Sequence, residues 1–181
     1  MKRLTFSAAL MVMVVLFSCK SQPAGNANPE GNAQPATNEK PAGDFKLSKL
    51  VYHLSRCNGT CPSIDLEIDS NKAVYVSREF YKTKSEIDST NSGRFKGTLT
   101  QAQDKLLMEI LKKSNLDSLE FAPVGIADVP ETTIIIYYNG KRKYLKSERP
   151  PVAANDLITF LKSIGNDKKL ERANEVKELE N

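Results

Sequence analysis

The stretch from Thr132 to Tyr138, closed by Asn139-Gly140, constrains this chain more than any other. All seven of its residues are β-branched or aromatic, the types that fit a pleated and half-buried surface. Asn-Gly is the dipeptide that most readily adopts the two positive φ values of a type I′ turn, and residues 141–146 then run back along the same line. Such a turn sets the register, so that Ile135 faces Tyr144 and Ile134 faces Leu145. Apolar side chains on both faces predict a hairpin at the centre of a sheet.

The remaining strands read from alternation. Ile64, Leu66 and Ile68 alternate with Asp65, Glu67 and Asp69, the period of two that marks a strand with one wet face. Ser70-Asn71-Lys72 turns the chain and residues 73–77 return. A first strand is expected over Leu47–Leu54, a short one over residues 93–97, and a polar loop or edge over residues 78–92.

Two helices complete the pattern. Thr100 with Gln103 forms a capping box, and Leu106, Leu107, Ile110 and Leu111 make an apolar stripe that ends near Asn115. Pro150-Pro151 opens the second helix, with Leu157, Ile158, Leu161 and Ile164 packed inward and Gly165 as its C-cap. Residues 166–181 carry five acidic and four basic side chains and read as a charged tail, at most a frayed helix. Strands, helix, hairpin and helix in this order predict an α+β domain over residues 45–165. Its architecture would be a single antiparallel sheet with two helices packed on one face, preceded by a disordered linker.

That linker occupies residues 19–44. Pro23, Pro29, Pro35 and Pro41 recur every six residues among Gly, Asn, Ala and Gln, with too little apolar surface to offset ordering entropy. As a flexible coil it would reach roughly 25 to 30 Å. Before it, Lys2 and Arg3 precede an apolar run that closes in Leu16-Phe17-Ser18-Cys19. The run is shorter than the roughly 20 residues of a spanning helix and has the order of a secretory signal. It resembles the lipobox of bacterial lipoproteins, which implies that residues 1–18 are removed and Cys19 carries the lipid. The 26 basic residues then lose Lys2 and Arg3, leaving 24 against 22 acidic, a balance that argues against a nucleic-acid partner. With Lys20, Ser21 and Gln22 next, no acidic cluster follows Cys19, which points toward the periplasmic side of the membrane.

Cys57-x-Gly59-x-Cys61-Pro62, the Ile64-to-Ile68 strand, Gly93-Arg94-Phe95, Asp128-Val129-Pro130 and Asn139-Gly140-Lys141 resemble a family of bacterial lipoproteins bearing domain of unknown function 6438. The resemblance covers residues 47–164. It implies a lipid-anchored protein in a Gram-negative envelope and supplies no activity or catalytic residue.

Cys57 and Cys61 are the first candidates for chemistry. In an oxidising envelope a pair this close reads as a structural disulfide. The alternative is a thiol-based metal or redox site. The Cys-x-x-x-Cys-Pro run resembles the copper-binding loop of Sco-type copper chaperones, with His53, the single histidine, as third ligand. Yet the alternating β-α-β pattern of that fold is missing, and His53 reads first as a strand residue. Asp65, Glu67, Asp69 and Asn71 have a faint calcium-loop spacing but read as a solvated strand face. Asp128 and Glu131 flank Pro130 as carboxylates of a turn, and Lys141-Arg142-Lys143 as an exposed hairpin tip. No nucleophile and base stand together. The expectation is therefore a non-enzymatic binding or accessory module without a cofactor. It would be lipid-anchored at the outer membrane, facing the periplasm, with an envelope protein or ligand as partner.

Overall fold

The computed structural model describes residues 45–180. The signal peptide, the lipidation site at Cys19 and the linker expected before Phe45 lie outside the described residues. Seven strands form one open antiparallel sheet: β1 (Leu47–Leu54), β2 (Ser63–Asp69), β3 (Ala73–Glu79), β4 (Gly93–Thr98), β5 (Thr132–Tyr138), β6 (Lys141–Ser147) and β7 (Glu171–Arg172). Their spatial order is β6-β5-β1-β2-β3-β4-β7, with helices α1 (Gln101–Lys113) and α2 (Asn155–Gly165) inserted along the chain, so the class is α+β.

The hairpin register is the expected one, Ile135 opposite Tyr144 and Ile134 opposite Leu145, with Asn139 at φ 50° and Gly140 at φ 74°. Its position is not. β6 is an edge strand, and β1 and β2 hold the middle of the sheet. The apolar residues of β5 report burial of both its faces, Ile134, Ile135 and Ile136 all being fully buried, but burial says nothing about lateral rank. β6 has the marks of an edge: Lys141, Arg142, Tyr144 and Lys146 are exposed, a composition that discourages further pairing.

Alternation divides the sheet into two faces. Leu50, Tyr52, Leu66, Ile68, Ile134 and Ile136 lie on one, in a buried cluster that also takes in Leu107 and Leu111 of α1 and Leu157, Leu161 and Ile164 of α2. The capping box of α1 is formed as expected, Thr100 accepting from the Gln103 backbone N–H and Gln103 from that of Thr100. Leu106 leaves the expected stripe and is exposed. A short 3₁₀ turn at Val152–Ala154 separates Pro150-Pro151 from α2. Gly165 is the last residue of α2 and not a left-handed cap; a Cβ there would meet Ile64 Cγ2 at 2.7 Å, so close packing of helix on strand requires the glycine.

The tail departs furthest from expectation. No helix follows Gly165 among the described residues; instead β7 pairs with β4, and Ala173 N–H donates to Arg94 O. Residues 174–180 then cross the second sheet face as a strap. Glu175 bonds Lys96 of β4, Lys177 bonds Glu67 of β2, and Glu180 reaches Lys49 of β1, Tyr137 of β5 and Arg142 of β6. Glu67, expected on a solvated face, is 7% exposed as a result.

Candidate functional site

The cysteine pair lies at one end of the sheet, where β1 runs into β2. Cys57 and Cys61 are joined by a disulfide with a Cα–Cα separation of 5.4 Å, which staples the turn between the two strands. Arg56 stacks on the Tyr81 ring at 3.9 Å and donates to Lys84 O, holding the turn against the 80–87 loop. Ser55 bonds Glu131 twice, backbone N–H to carbonyl at 2.9 Å and hydroxyl from the Glu131 N–H at 2.8 Å, so the end of β1 and the start of β5 close on each other.

Beside this turn lies an open groove of about 490 Å³. Leu54, Ile64 and Ile158 supply apolar walls, Cys61 and Pro62 one lip, and Glu148, Asn155, Lys162 and Asn166 polar groups at its rim. Glu148 accepts its own backbone N–H and those of Val124 and Gly125, which holds its carboxyl below the usual glutamate value and pins the loop before β5. Ser147 secures the same loop by donating to Ala122 O at 2.6 Å. The lining contains neither histidine nor serine, and its single cysteine is bonded to Cys57. A concave site with apolar walls and a few polar groups is the usual form of a small-ligand or peptide site.

His53 does not join the cysteines. It sits on β1 with a side chain 14% exposed, its Nδ1 2.8 Å from Asp65 Oδ1 and its Nε2 2.5 Å from the carbonyl oxygen of Glu180. Both partners are acceptors, so the doubly protonated ring is the form that satisfies them. Burial works against that charge, yet the bonds to Asp65 and Glu180 outweigh it and raise the pKa above the ordinary histidine value. Around it is a second cleft of about 260 Å³ lined also by Ser55, Ser63, Glu131, Thr133, Tyr144 and Lys146, where Glu131 pairs with Lys146 at 2.9 Å.

The copper alternative finds no assembled ligand set. Both sulfurs are spent in the bridge, His53 is committed to Asp65 and Glu180, and among the described residues no three His, Cys, Asp or Glu side chains converge. The calcium-like spacing is dispersed as well: Asp65 holds His53, Glu67 holds Lys177, and Asp69 accepts from Asn71 N–H and Ala73 N–H in the β2–β3 turn. Asp128 is exposed at φ 66°. Lys141 is held by Asp117 at 2.8 Å and Arg142 by Glu180, so the hairpin tip is less free than its sequence suggests.

Alternation alone does not reveal Arg78. On β3 it occupies a cluster-face position, 5% exposed, and donates from Nη1 to Gly165 O at 2.6 Å and from Nε to Asn91 O at 3.0 Å while lying 4.1 Å from the Phe95 ring centroid. Burial, then the Arg172 charge, lower its pKa. A guanidinium at the last carbonyls of α2 fits the negative end of a helix, and a lone arginine in an alternating strand is the only hint the chain offers.

This is an α+β domain built on one open antiparallel sheet, with a disulfide-stapled turn beside a groove. More particularly, the chain belongs to the family of the Domain of unknown function (DUF6438), whose family model matches residues 48–166. The strap lies beyond the matched residues. No curated protein matches the chain.

Proposed function

We propose that this chain is a lipid-anchored protein of a Gram-negative envelope whose domain binds or supports another envelope component through the groove beside Cys61, without catalysing a reaction. The groove is the observation that carries the reading: apolar walls, a polar rim, and a lining in which the one cysteine is bridged to Cys57 and the Glu148 carboxylate is engaged by the backbone N–H groups of Val124 and Gly125. In this reading both helices cover one face of the sheet, as their shared buried cluster supports. The anchor rests on Leu16-Phe17-Ser18-Cys19, and the placement at the outer membrane facing the periplasm on the envelope setting and on the residues after Cys19. Cys57 and Cys61 serve as a staple, worth roughly 2 kcal/mol for so short a loop by chain entropy.

The test is in cells. A photo-activatable residue at Lys162, exposed on the groove rim, should give one discrete adduct that disappears with Glu148→Arg and survives Cys57→Ser/Cys61→Ser at a temperature where that variant stays folded. Labelled fatty acid should enter the wild-type chain and not Cys19→Ala. Absence of any groove-dependent adduct would sink the binding reading. A thiol count by mass spectrometry that finds Cys57 and Cys61 free would move the site to a redox or metal function at the turn.

A further inference from the structure

The second face of the sheet carries a ready-made receptor for a carboxylate. Glu180 Oε1 accepts from Tyr137 Oη at 2.6 Å and from Arg142 Nη2 at 3.0 Å and Nε at 3.1 Å, and Oε2 accepts from Lys49 Nζ at 2.6 Å. Lys49 lies 4.6 Å from the Tyr137 ring centroid, so the donors support one another. Four strand residues from three neighbouring strands take part, since His53 Nε2 donates to the Glu180 backbone carbonyl. Two cations and a phenol carried by three neighbouring strands converge on one carboxylate, the charge-assisted arrangement that recognises such a group.

What occupies the site is weakly attached. After Ala173, no backbone hydrogen bond ties residues 174–180 to the sheet among the described residues; the backbone contact is the Glu180 carbonyl on His53. The intermediate links, Glu175–Lys96 and Lys177–Glu67, are ion pairs open to solvent on at least one side, and such pairs contribute little net. Residues 174–178 are exposed, and Val176 is 68% exposed. Segments held this way open far more readily than the sheet beneath them.

Departure of the strap would leave two unmet demands: the Lys49, Tyr137 and Arg142 donors without an anion, and the carboxylate of Glu67 without Lys177. A basic side chain over β2 and an acidic one over β1 and β5, three residues apart in an extended segment, meet both. We infer that this face is a recognition site for an extended acidic peptide of a partner protein bearing a Lys-x-x-Glu spacing, and that residues 174–180 occupy it in cis until such a peptide displaces them. The site is on the opposite face from the buried cluster and shares none of its four binding residues with the groove, so either assignment stands if the other fails.

The probe is a fluorescein-labelled peptide of residues 171–180, added to the full chain in detergent and read by anisotropy. Lys177→Ala/Glu180→Gln, which vacates the site, should bind it about tenfold more tightly than wild type, the equivalent of about 1.4 kcal/mol of strap released. Adding Arg142→Ala should abolish the gain, as should a peptide with Gln in place of the final Glu. Equal binding to wild type and to the vacated chain, or none to a vacated chain whose circular dichroism is native, would overturn the inference. So would a wild-type dimer in light scattering that Glu180→Gln dissolves, because the occupant would then be the strap of a second copy.

Discussion

The two faces of the sheet are closed by different physics. The face of Leu50, Leu66 and Ile134 is sealed by apolar burial, non-directional and summed over many contacts. The opposite face is crossed by a strap that is held largely by polar, directional contacts to Lys96, Glu67, Lys49, Tyr137 and Arg142. Val51 and Ile135 are fully buried on that second face, so it is not merely wet surface. The comparison teaches that one sheet can have a face that defines stability and another whose cover is held at small energetic gain, since solvent-exposed ion pairs contribute about 0 to 1 kcal/mol each.

The sharpest way to break the comparison is at the cluster face. Leu66→Ala removes a fully buried side chain, and a loss of about 2 to 5 kcal/mol is expected in urea unfolding. A loss under 1 kcal/mol would mean that this face is not where stability resides. Next comes Arg78→Met, which strips the carbonyls of Gly165 and Asn91 of their donor while keeping the stem over Phe95; about 1 to 3 kcal/mol should go, and Arg78→Lys should not recover it, because a single ammonium cannot reproduce the fork. Native stability in Arg78→Met would show that water replaces the guanidinium without penalty.

The smallest effect belongs to the strap. Hydrogen bonding from Lys49, then Tyr137, then Arg142, holds the Glu180 carboxyl down to about 2, so its contribution is present above the ordinary value of 4.5 and fades as pH falls toward 2. His53 is shifted the other way, so its contribution is full below 6.5 and fades as pH rises through its raised value. Among the groups facing that ring, Asp65 stays on the sheet while Glu180 leaves with the strap, and Glu131, Lys146 and Tyr144 line the same cleft. The strap is therefore held best between pH 4.5 and 6.5. Amide exchange over residues 174–180, corrected for its intrinsic pH dependence, should show a protection maximum in that window, while global stability changes by less than about 1 kcal/mol in Glu180→Gln. Protection that is flat from pH 4 to 8 would assign the strap to apolar contacts instead.

Local pattern was enough for the first six strands, the Asn139-Gly140 turn and its register, the Thr100–Gln103 box, and a cysteine pair close enough to bridge, because periodicity, φ preference and short spacing are properties of neighbouring residues. Lateral order in the sheet, with β6 at the edge and β1 beside β5, depended on which strands meet across long stretches of chain, and alternation is blind to that. Gly165 was legible as a helix end, but its reason, the approach of Ile64, was not. Least legible was the strap. Glu180 finds Lys49 131 residues away, and a polar tail with little to bury carries no periodic signal of where it docks. Burial writes itself into sequence at every second or fourth residue, whereas a single ion pair between distant segments leaves two charged residues that look like any others. The amino-acid order by itself determined the class of fold and its apolar face; the second face, and the carboxylate site on it, were decided only when tertiary structure brought the two ends of the domain together.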